Sequence, residues 1–267
     1  MGALMRARRA IVVGDPQQIE PVVPLPDVLT AAVMREFASD PDRFSAPSAS
    51  VQTLADDASD HCAVFQTAAG SRSVGAPLLV HRRCSSPMFD ISNRIAYGGL
   101  MVQAKAPQPS AIKDALGPSR WINVRGSARE KFSPEEGEEA LRLLQSLKDR
   151  GVAPDVYVIS PFVAVQDGLR QLINANGILN GWTDDPRAWA WERIGTVHTV
   201  QGREAEAVIL VLGAPLPAQS GARQWAGRLP NLLNVAATRA KEAIYVIGNR
   251  EHWEGAGHFG VLSKNMP

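Results

Sequence analysis

Cysteine is scarce in this chain, and the two that occur, Cys62 and Cys84, form neither a metal-ligand spacing nor a Cys-x-x-Cys pair. This usage excludes a disulfide framework and is typical of a protein in a reducing cytosol. The sequence also lacks a long uninterrupted apolar run, which argues against a membrane-spanning protein. Its start does not have the segment order of a signal peptide. We therefore expect a cytoplasmic protein with no bound structural metal and no membrane partner.

Two further patterns are missing. No Gly-x-x-x-x-Gly-Lys-[Ser/Thr] occurs, so the loop whose backbone amides cradle nucleotide phosphates is absent. No Asp-Glu pair ends a strand ahead of Gly14, which removes the acidic group that would hold Mg²⁺ in such a site. These residues alone therefore do not predict a complete nucleotide-hydrolysing site.

The composition is that of an ordinary globular protein. The chain has 267 residues, 45% hydrophobic and 21% charged, with a net charge of +1, which is enough to bury a core as one domain or two small ones. Such a balanced charge does not by itself indicate an acidic partner. If nucleic acid binds, the basic side chains must be concentrated on one face.

Apolar runs and helical periodicities alternate along the chain. Alternating strands and helices predict an α/β fold with a mainly parallel sheet flanked by helices. Ser133-Pro-Glu-Glu has the cap, proline and early acids of a helix start. The predicted strands cover residues 9–13, 78–80, 156–160, 193–197, 207–212 and 243–247, and the predicted helices cover residues 28–37, 48–58, 88–97, 133–150 and 163–174.

Four blocks place polar residues beside these apolar runs. In order they are Ala10-Ile-Val-Val-Gly-Asp-Pro-Gln-Gln-Ile-Glu-Pro21, Val80-His-Arg-Arg-Cys-Ser-Ser-Pro-Met-Phe-Asp-Ile-Ser-Asn93, Ile194-Gly-Thr-Val-His-Thr-Val-Gln-Gly-Arg-Glu204 and Asn231-Leu-Leu-Asn-Val-Ala-Ala-Thr-Arg-Ala-Lys241. They resemble motifs III to VI of superfamily 1 helicases, of the 1B branch that includes the nonsense-mediated-decay RNA helicases. The resemblance spans residues 10 to 248.

This resemblance implies a division of the chain. Residues 1–22 would be the end of a first RecA-like lobe, residues 23–75 a helical and irregular connection, and residues 76–267 a second RecA-like lobe of the P-loop NTPase class. We therefore expect part of a longer protein, which does not hydrolyse ATP by itself. ATP and Mg²⁺ would both require the first lobe, and the partners would be that lobe and single-stranded DNA or RNA.

The resemblance also assigns residues near the nucleotide. Arg239 and Arg83 would stabilise the charge of the transferring phosphoryl group, a task that suits a permanently charged planar fork. Gln18 would sense the terminal phosphate. The positions expected to contact the nucleotide or shape the loops around it are Gly14, Asp15, Gly202 and Glu204.

A second set would hold the nucleic-acid backbone. Ser160 lies in Ser160-Pro-Phe-Val-Ala-Val-Gln166, similar to a family segment that grips a phosphate of the strand, although a Ser-Pro pair also starts helices. The other members are Thr196, His198 and Thr199.

Two interpretations stay open from the sequence. Trp182, Trp189, Trp191 and Trp225 suggest base stacking, but the Trp189-Ala-Trp191 alternation equally favours an edge strand, so none is assigned to the site. The chain could also be a nucleic-acid-binding or regulatory lobe that does not hydrolyse ATP.

Overall fold

The computed structural model of the protein describes residues 6–19, 23, 25–40, 44–45, 49–67 and 70–267. It separates into two compact units, Met1–Leu78 and Leu79–Pro267. Glu20 and Pro21, at the end of the first sequence block, lie outside the described residues. Among the described helices, none is long and apolar enough to cross a membrane.

The described residues of the first unit include two helices and a hairpin. Its elements are α1 (Asp27–Glu36), α2 (Val51–Asp57), β1 (Ala63–Thr67) and β2 (Gly70–Val74), with β1 and β2 antiparallel. Both predicted helices are confirmed, and Ser50 caps α2 by accepting a hydrogen bond from the amide of Thr53. The carboxylate of the buried Asp56 accepts from the Gly75 amide at 2.9 Å, which ties α2 to the end of the hairpin.

The strand predicted at residues 9–13 is not formed. Ile11 and Val13 are 94% and 79% exposed. A β-branched run favours extended backbone, but a strand also needs a hydrogen-bonding neighbour. This prediction was wrong because the pattern was counted without a partner strand.

The second unit is built around one sheet. In chain order its elements are β3 (Val80–His81), α3 (Met88–Ala96), β4 (Val102–Gln103), α4 (Ala111–Leu116), β5 (Arg120–Asn123), α5 (Pro134–Asp149), β6 (Val156–Ser160), α6 (Val163–Asn176), α7 (Pro186–Arg193), β7 (Ile194–Thr196), β8 (Ala205–Val211), α8 (Ser220–Gly227), α9 (Pro230–Thr238), β9 (Ala240–Gly248), α10 (Arg250–Trp253) and α11 (Phe259–Lys264). The sheet order is β5-β9-β8-β6-β7, and every pairing is parallel. The predicted parallel α/β architecture is confirmed.

The sheet forms the core because its central strands are apolar along their whole length. β6 is buried at every position, and β8 and β9 at all but one position each. Strands covered on both faces read as continuous apolar runs rather than alternating ones. Because the strands are parallel, their carboxyl ends all meet at one edge, which is where ligands bind in open α/β sheets.

Helix starts follow their capping signals. Ser133 accepts a hydrogen bond from the amide of Glu136, with Pro134 in the first helical turn of α5, as predicted.

The Trp189-Ala-Trp191 alternation belongs to α7 and not to an edge strand. The carboxylate of Asp185 caps α7 by accepting from the amides of Arg187 and Ala188, and this cap outweighs the two-residue alternation of the tryptophans.

A glycine lets α8 pack closely against the segment before α11. A β-carbon on Gly227 would lie 2.0 Å from the carbonyl oxygen of Ala256, a distance that no side chain can tolerate. We expect Gly227→Ala to lower the free energy of unfolding by about 1–3 kcal/mol through this overlap, measured by urea denaturation.

Gly221 provides the matched control in the same helix. A β-carbon there would meet no heavy atom within 4 Å, so Gly221→Ala should be neutral or stabilise by up to about 1 kcal/mol. Equal effects of the two substitutions would show that helix propensity, and not the contact with Ala256, sets the cost.

Candidate functional site

Two hydroxyl residues lie side by side at the carboxyl edge of the sheet. Ser160 ends β6, Thr196 ends β7, and the two are register partners. The amide of Val197 donates to the carbonyl of Ser160 at 3.0 Å. Ser160 Oγ also accepts from the amide of Phe162 at 3.3 Å. The predicted residues Ser160 and Thr196 are therefore brought together, with both side chains largely buried.

The turn that follows β7 carries the next predicted residues. Thr199 folds back, and its Oγ1 donates to the carbonyl of Thr196 at 2.8 Å. This contact requires glycine at 195, since a β-carbon there would lie 2.3 Å from Thr199 Oγ1. His198 and Thr199 are exposed. Gly202 has a φ of +83°, a left-handed conformation that favours glycine and reverses the chain toward Glu204.

Two basic side chains meet one carboxylate at the end of this turn. Arg83 Nε lies 2.5 Å from Glu204 Oε1, and Lys241 Nζ lies 3.7 Å from Glu204 Oε2. About one third of the Arg83 and Glu204 side chains remains exposed. Three of the four sequence blocks thus converge here, and of the two adjacent arginines it is Arg83 that pairs with Glu204.

The position of Arg239 differs from the one that the resemblance implies, which is contact with the transferring phosphoryl group. Its side chain is fully buried, and its guanidinium donates to the carbonyls of Val235 at 3.1 Å and Arg203 at 2.9 Å, and to Thr238 Oγ1 at 3.3 Å. Burial, with the nearby charge of Arg83, lowers the pKa of Arg239 to about 10. In this structure the guanidinium fastens α9 to the turn before Glu204 and presents no surface to a ligand.

The segment that carries Arg83 is fixed to the start of β9. The amide of Ser85 donates to the carbonyl of Lys241 at 3.0 Å. Lys105 donates to the same carbonyl at 2.9 Å and forms an ion pair with the buried carboxylate of Glu242. No local sequence pattern indicates Lys105 or Glu242, because their partners are more than 130 residues away.

A histidine and a cysteine close the turn around Arg83. The amide of Cys84 donates to His81 Nε2 at 3.1 Å, and Cys84 Sγ lies 3.0 Å from the same nitrogen. Burial raises the pKa of Cys84 to about 12, and burial together with Arg83 and Lys105 lowers the pKa of His81. Both groups are therefore uncharged near neutrality, and the positive charge of the cluster belongs to the arginine and lysine side chains.

Helix α3 is joined to α9 by polar side chains. Ser92 Oγ donates to Asn234 Oδ1 at 2.6 Å, and Asn234 Nδ2 donates to the hydroxyl of Tyr97 at 3.2 Å. The blocks that hold Arg83 and Arg239 are therefore packed together by hydrogen bonds as well as by apolar contacts.

The residues predicted from the first block form a turn in the first unit. The amide of Gln17 donates to Asp15 Oδ1 at 2.9 Å, and the amide of Gln18 donates to the carbonyl of Asp15 at 3.2 Å. Gln18 Nε2 lies 3.5 Å from Asp15 Oδ2. A β-carbon on Gly14 would lie 2.6 Å from Gln52 Oε1. Gly14, Asp15 and Gln18 thus occupy one turn that Asp15 organises.

A buried carboxyl beneath the loop after β8 was missed by the sequence analysis. Glu136 is fully buried, and its Oε2 accepts from the amide of Gly213 at 2.7 Å. Among the residues that the structure describes, its Oε1 has no hydrogen-bond partner. Burial raises the pKa of Glu136 to about 8. The sequence pattern counted Glu136 as an early acid of α5, and nothing in its neighbours indicated Gly213.

Comparison with known proteins places the chain in a family. Residues 64–251 match AAA_12, a family described as "AAA domain", and because this match covers more than half of the chain, the chain belongs to that family. No curated protein sequence matches the chain.

Three of the solved structures that the chain resembles are described by name as a helicase or part of one. The C-terminal domain of a possible DNA helicase from Lactobacillus strain WCFS1 is 12% identical, with a TM-score of 0.37, 62% of this chain covered and 86% of that one. Arterivirus nonstructural protein 10, a helicase, is 14% identical, with a TM-score of 0.33 and 68% of this chain covered. The same protein in complex with DNA is 16% identical, with a TM-score of 0.31 and the same 68% covered. The chain spans 28% of the length of the arterivirus proteins.

Glu136 should make the stability of the protein depend on pH. Since its folded pKa is about 8 against an ordinary 4.5, the folded protein keeps a proton that the unfolded chain releases between these values. The free energy of unfolding should therefore fall as pH rises from about 4.5 to about 8, by at most about 1.4 kcal/mol per pH unit. Glu136→Gln keeps the acceptor for Gly213 and should remove this contribution, as measured by urea unfolding at several pH values.

Glu135→Gln is the control. Hydrogen bonds from Ser127 and from backbone amides lower the pKa of Glu135 to about 2, so its stabilising effect is lost only in acid and the slope above pH 5 should persist. A wild-type slope that survives Glu136→Gln unchanged would show that Glu136 titrates normally.

Proposed function

We propose that this chain is the C-terminal motor lobe of a superfamily 1 helicase of the 1B branch, acting on single-stranded nucleic acid with ATP as its energy source. The observation that carries the proposal is the convergence of Arg83, Lys241 and Glu204 on the turn that also bears Thr196 and Thr199. Membership of an AAA-domain family is consistent with it. The proposed lobe is RecA-like.

The cationic cluster suits the phosphates of ATP. Arg83 and Lys241 are partly exposed and share one carboxylate, so a phosphate can take the place of that carboxylate as the partner of either cation. Gly202 permits close approach of the backbone. The turn of Gly14, Asp15 and Gln18 in the first unit keeps its proposed role as a phosphate-sensing turn.

Mg²⁺ is not assigned to this cluster. Glu204 already faces two cations, and Mg²⁺ needs carboxylates with charge to spare. The sequence has no phosphate loop either. We propose that another RecA-like lobe of the parent protein supplies both, and that hydrolysis requires the two lobes together.

The nucleic-acid contacts would lie at the neighbouring carboxyl ends of β6 and β7. Helix α6 has 14 residues and no side-chain cap at its start, so its first amides are available to a phosphate oxygen. Ser160 lies just before this helix, and Thr196, His198 and Thr199 lie beside it on the adjacent strand and turn. Backbone contacts of this kind do not distinguish DNA from RNA.

A second candidate function is a nucleic-acid-binding or regulatory lobe that does not hydrolyse ATP. It is favoured by one observation, the complete burial of Arg239 among backbone carbonyls. On this alternative Arg239 serves only the fold, while the contacts at Ser160 and Thr196 keep their role.

Nucleic-acid binding is tested by its salt dependence. We expect the chain to bind single-stranded oligonucleotides weakly, with log K falling linearly against log salt by about 0.7 for each phosphate neutralised. Fluorescence anisotropy at several salt concentrations measures this slope. Binding that does not change with salt would contradict contacts made to the backbone.

The nucleotide site is tested in the extended parent, with adjacent arginines as a matched pair. Arg83→Gln should lower nucleic-acid-stimulated ATP hydrolysis by about tenfold or more, the effect of removing at least 1.4 kcal/mol of charge stabilisation. Arg82 is exposed, so Arg82→Gln should leave the rate within about twofold, a change of under 0.5 kcal/mol. An extended parent that binds single strands but never hydrolyses ATP would support the regulatory alternative.

A further inference from the structure

Tryptophans differ sharply in their surroundings in this chain. Trp121 and Trp253 are buried, and the indole nitrogens of Trp182 and Trp189 donate to backbone carbonyls. Of the six tryptophans, Trp191 at 72% and Trp225 at 52% are the ones with large exposed surfaces. A single exposed apolar side chain is ordinary, so the surroundings of each exposed indole decide whether it suits the stacking of a base.

Trp225 lies beside the proposed grip for the strand. Its ring is 6.0 Å from the ring of Phe162, with an angle of 33° between the planes. Phe162 is 7% exposed and is the residue before α6, two positions after Ser160. Trp225 therefore packs beside the buried ring of Phe162 at the carboxyl edge of the sheet. It lies near the start of α6 and near Ser160, whose hydroxyl is proposed to contact the nucleic-acid backbone.

A cation completes this arrangement. Lys131 Nζ lies 5.7 Å from the centre of the Phe162 ring, and within the described part of the chain it has no ion-pair partner. Trp225 and Lys131 therefore both lie near the Phe162 ring. An aromatic surface for a base, together with basic groups for the phosphates, is how single strands are held without sequence preference. The indole is complementary to a base, and the lysine is complementary to the negative charge of the phosphates.

We propose that Trp225 is a base-stacking position for single-stranded nucleic acid and that Lys131 contacts the adjoining phosphate. The inference rests on the proposed function and adds a residue from α8 to it. The strand would run along the carboxyl edge of the sheet, from the turn at Thr199, past Ser160 and the start of α6, to Trp225.

Trp191 is more exposed than Trp225 but lies in a different position. The Arg170 guanidinium lies 4.4 Å above its ring and donates to the carbonyls of Trp191 and Ile194. One ring face is therefore already covered. Trp191 also precedes the amino end of β7, whereas Ser160 and Thr196 lie at carboxyl ends. It is the matched control for an exposed tryptophan outside the proposed path.

The test compares two oligonucleotides of about 12 nucleotides, within the range that one such site covers. One is single-stranded DNA with thymine bases, and the other has the same backbone with abasic sites throughout. Trp225→Ala should weaken binding of the first by about 5- to 100-fold and leave the second unchanged. Trp225→Phe should retain most of the affinity, and Trp191→Ala should match wild type on both.

Each other outcome has a defined meaning. Equal affinity of Trp225→Ala and wild type for the thymine strand would overturn the stacking position while leaving the proposed function intact. Failure of wild type to bind either oligonucleotide would overturn both. Lys131→Gln should weaken the binding of both oligonucleotides alike and should reduce the slope of log K against log salt by the contribution of about one phosphate contact. An unchanged slope would show that Lys131 does not contact the strand.

Photocrosslinking tests the position in the unsubstituted protein. A strand carrying 5-bromouracil should crosslink to Trp225 when irradiated, because stacking brings the two rings into contact. Crosslinks that map only to other residues would overturn the inference even if Trp225→Ala were too unstable to study.

Discussion

The buried guanidinium of Arg239 is the contact on which the arrangement of the site depends. The guanidinium donates to the carbonyls of Val235 in α9 and of Arg203 in the turn. The backbone carbonyl of Arg239 accepts from the amide of Ala205 at the start of β8. A buried charge is tolerated only when hydrogen bonds satisfy it. By fixing the carbonyl of Arg203, this contact sets the direction of the next residue, Glu204, toward the two other cations.

Charge then organises the surface of the cluster. Arg83 comes from the segment after β3 and Lys241 from β9, and without Glu204 their like charges would repel. Lys105 and Glu242 hold the main chain beneath them. The two partly exposed cations of this cluster, Arg83 and Lys241, are therefore held in place by a buried framework. This explains how a protein with a net charge of only +1 presents a local positive site.

The sequence predicted best what depends on local pattern. The strands at β6, β8 and β9 and the helices at α5 and α6 follow from continuous apolar runs, helical periodicity and caps, and each is found close to its expected bounds. The prediction failed where a partner strand decides the outcome, as at residues 9–13. The contacts of Glu136 with Gly213 and of Lys105 with Glu242 join residues that are remote in sequence. No local sequence pattern can therefore predict them. The grouping of Arg83 with Glu204 followed from the resemblance of whole blocks and not from periodicity.

Arg239 also limits how the proposed motor could work. An arginine has five N–H donors, and the Arg239 side chain donates three hydrogen bonds to the described residues, so donor number alone leaves room for a phosphate. Burial does not, because the side chain has no exposed surface. Contact with a phosphate therefore requires the turn at Arg203 to move, and this turn is continuous with Thr196 and Thr199. On the proposed function, Arg239 can reach a phosphate of ATP only if this turn, which carries residues proposed to hold the strand, is displaced. The same displacement would link the two ligands energetically.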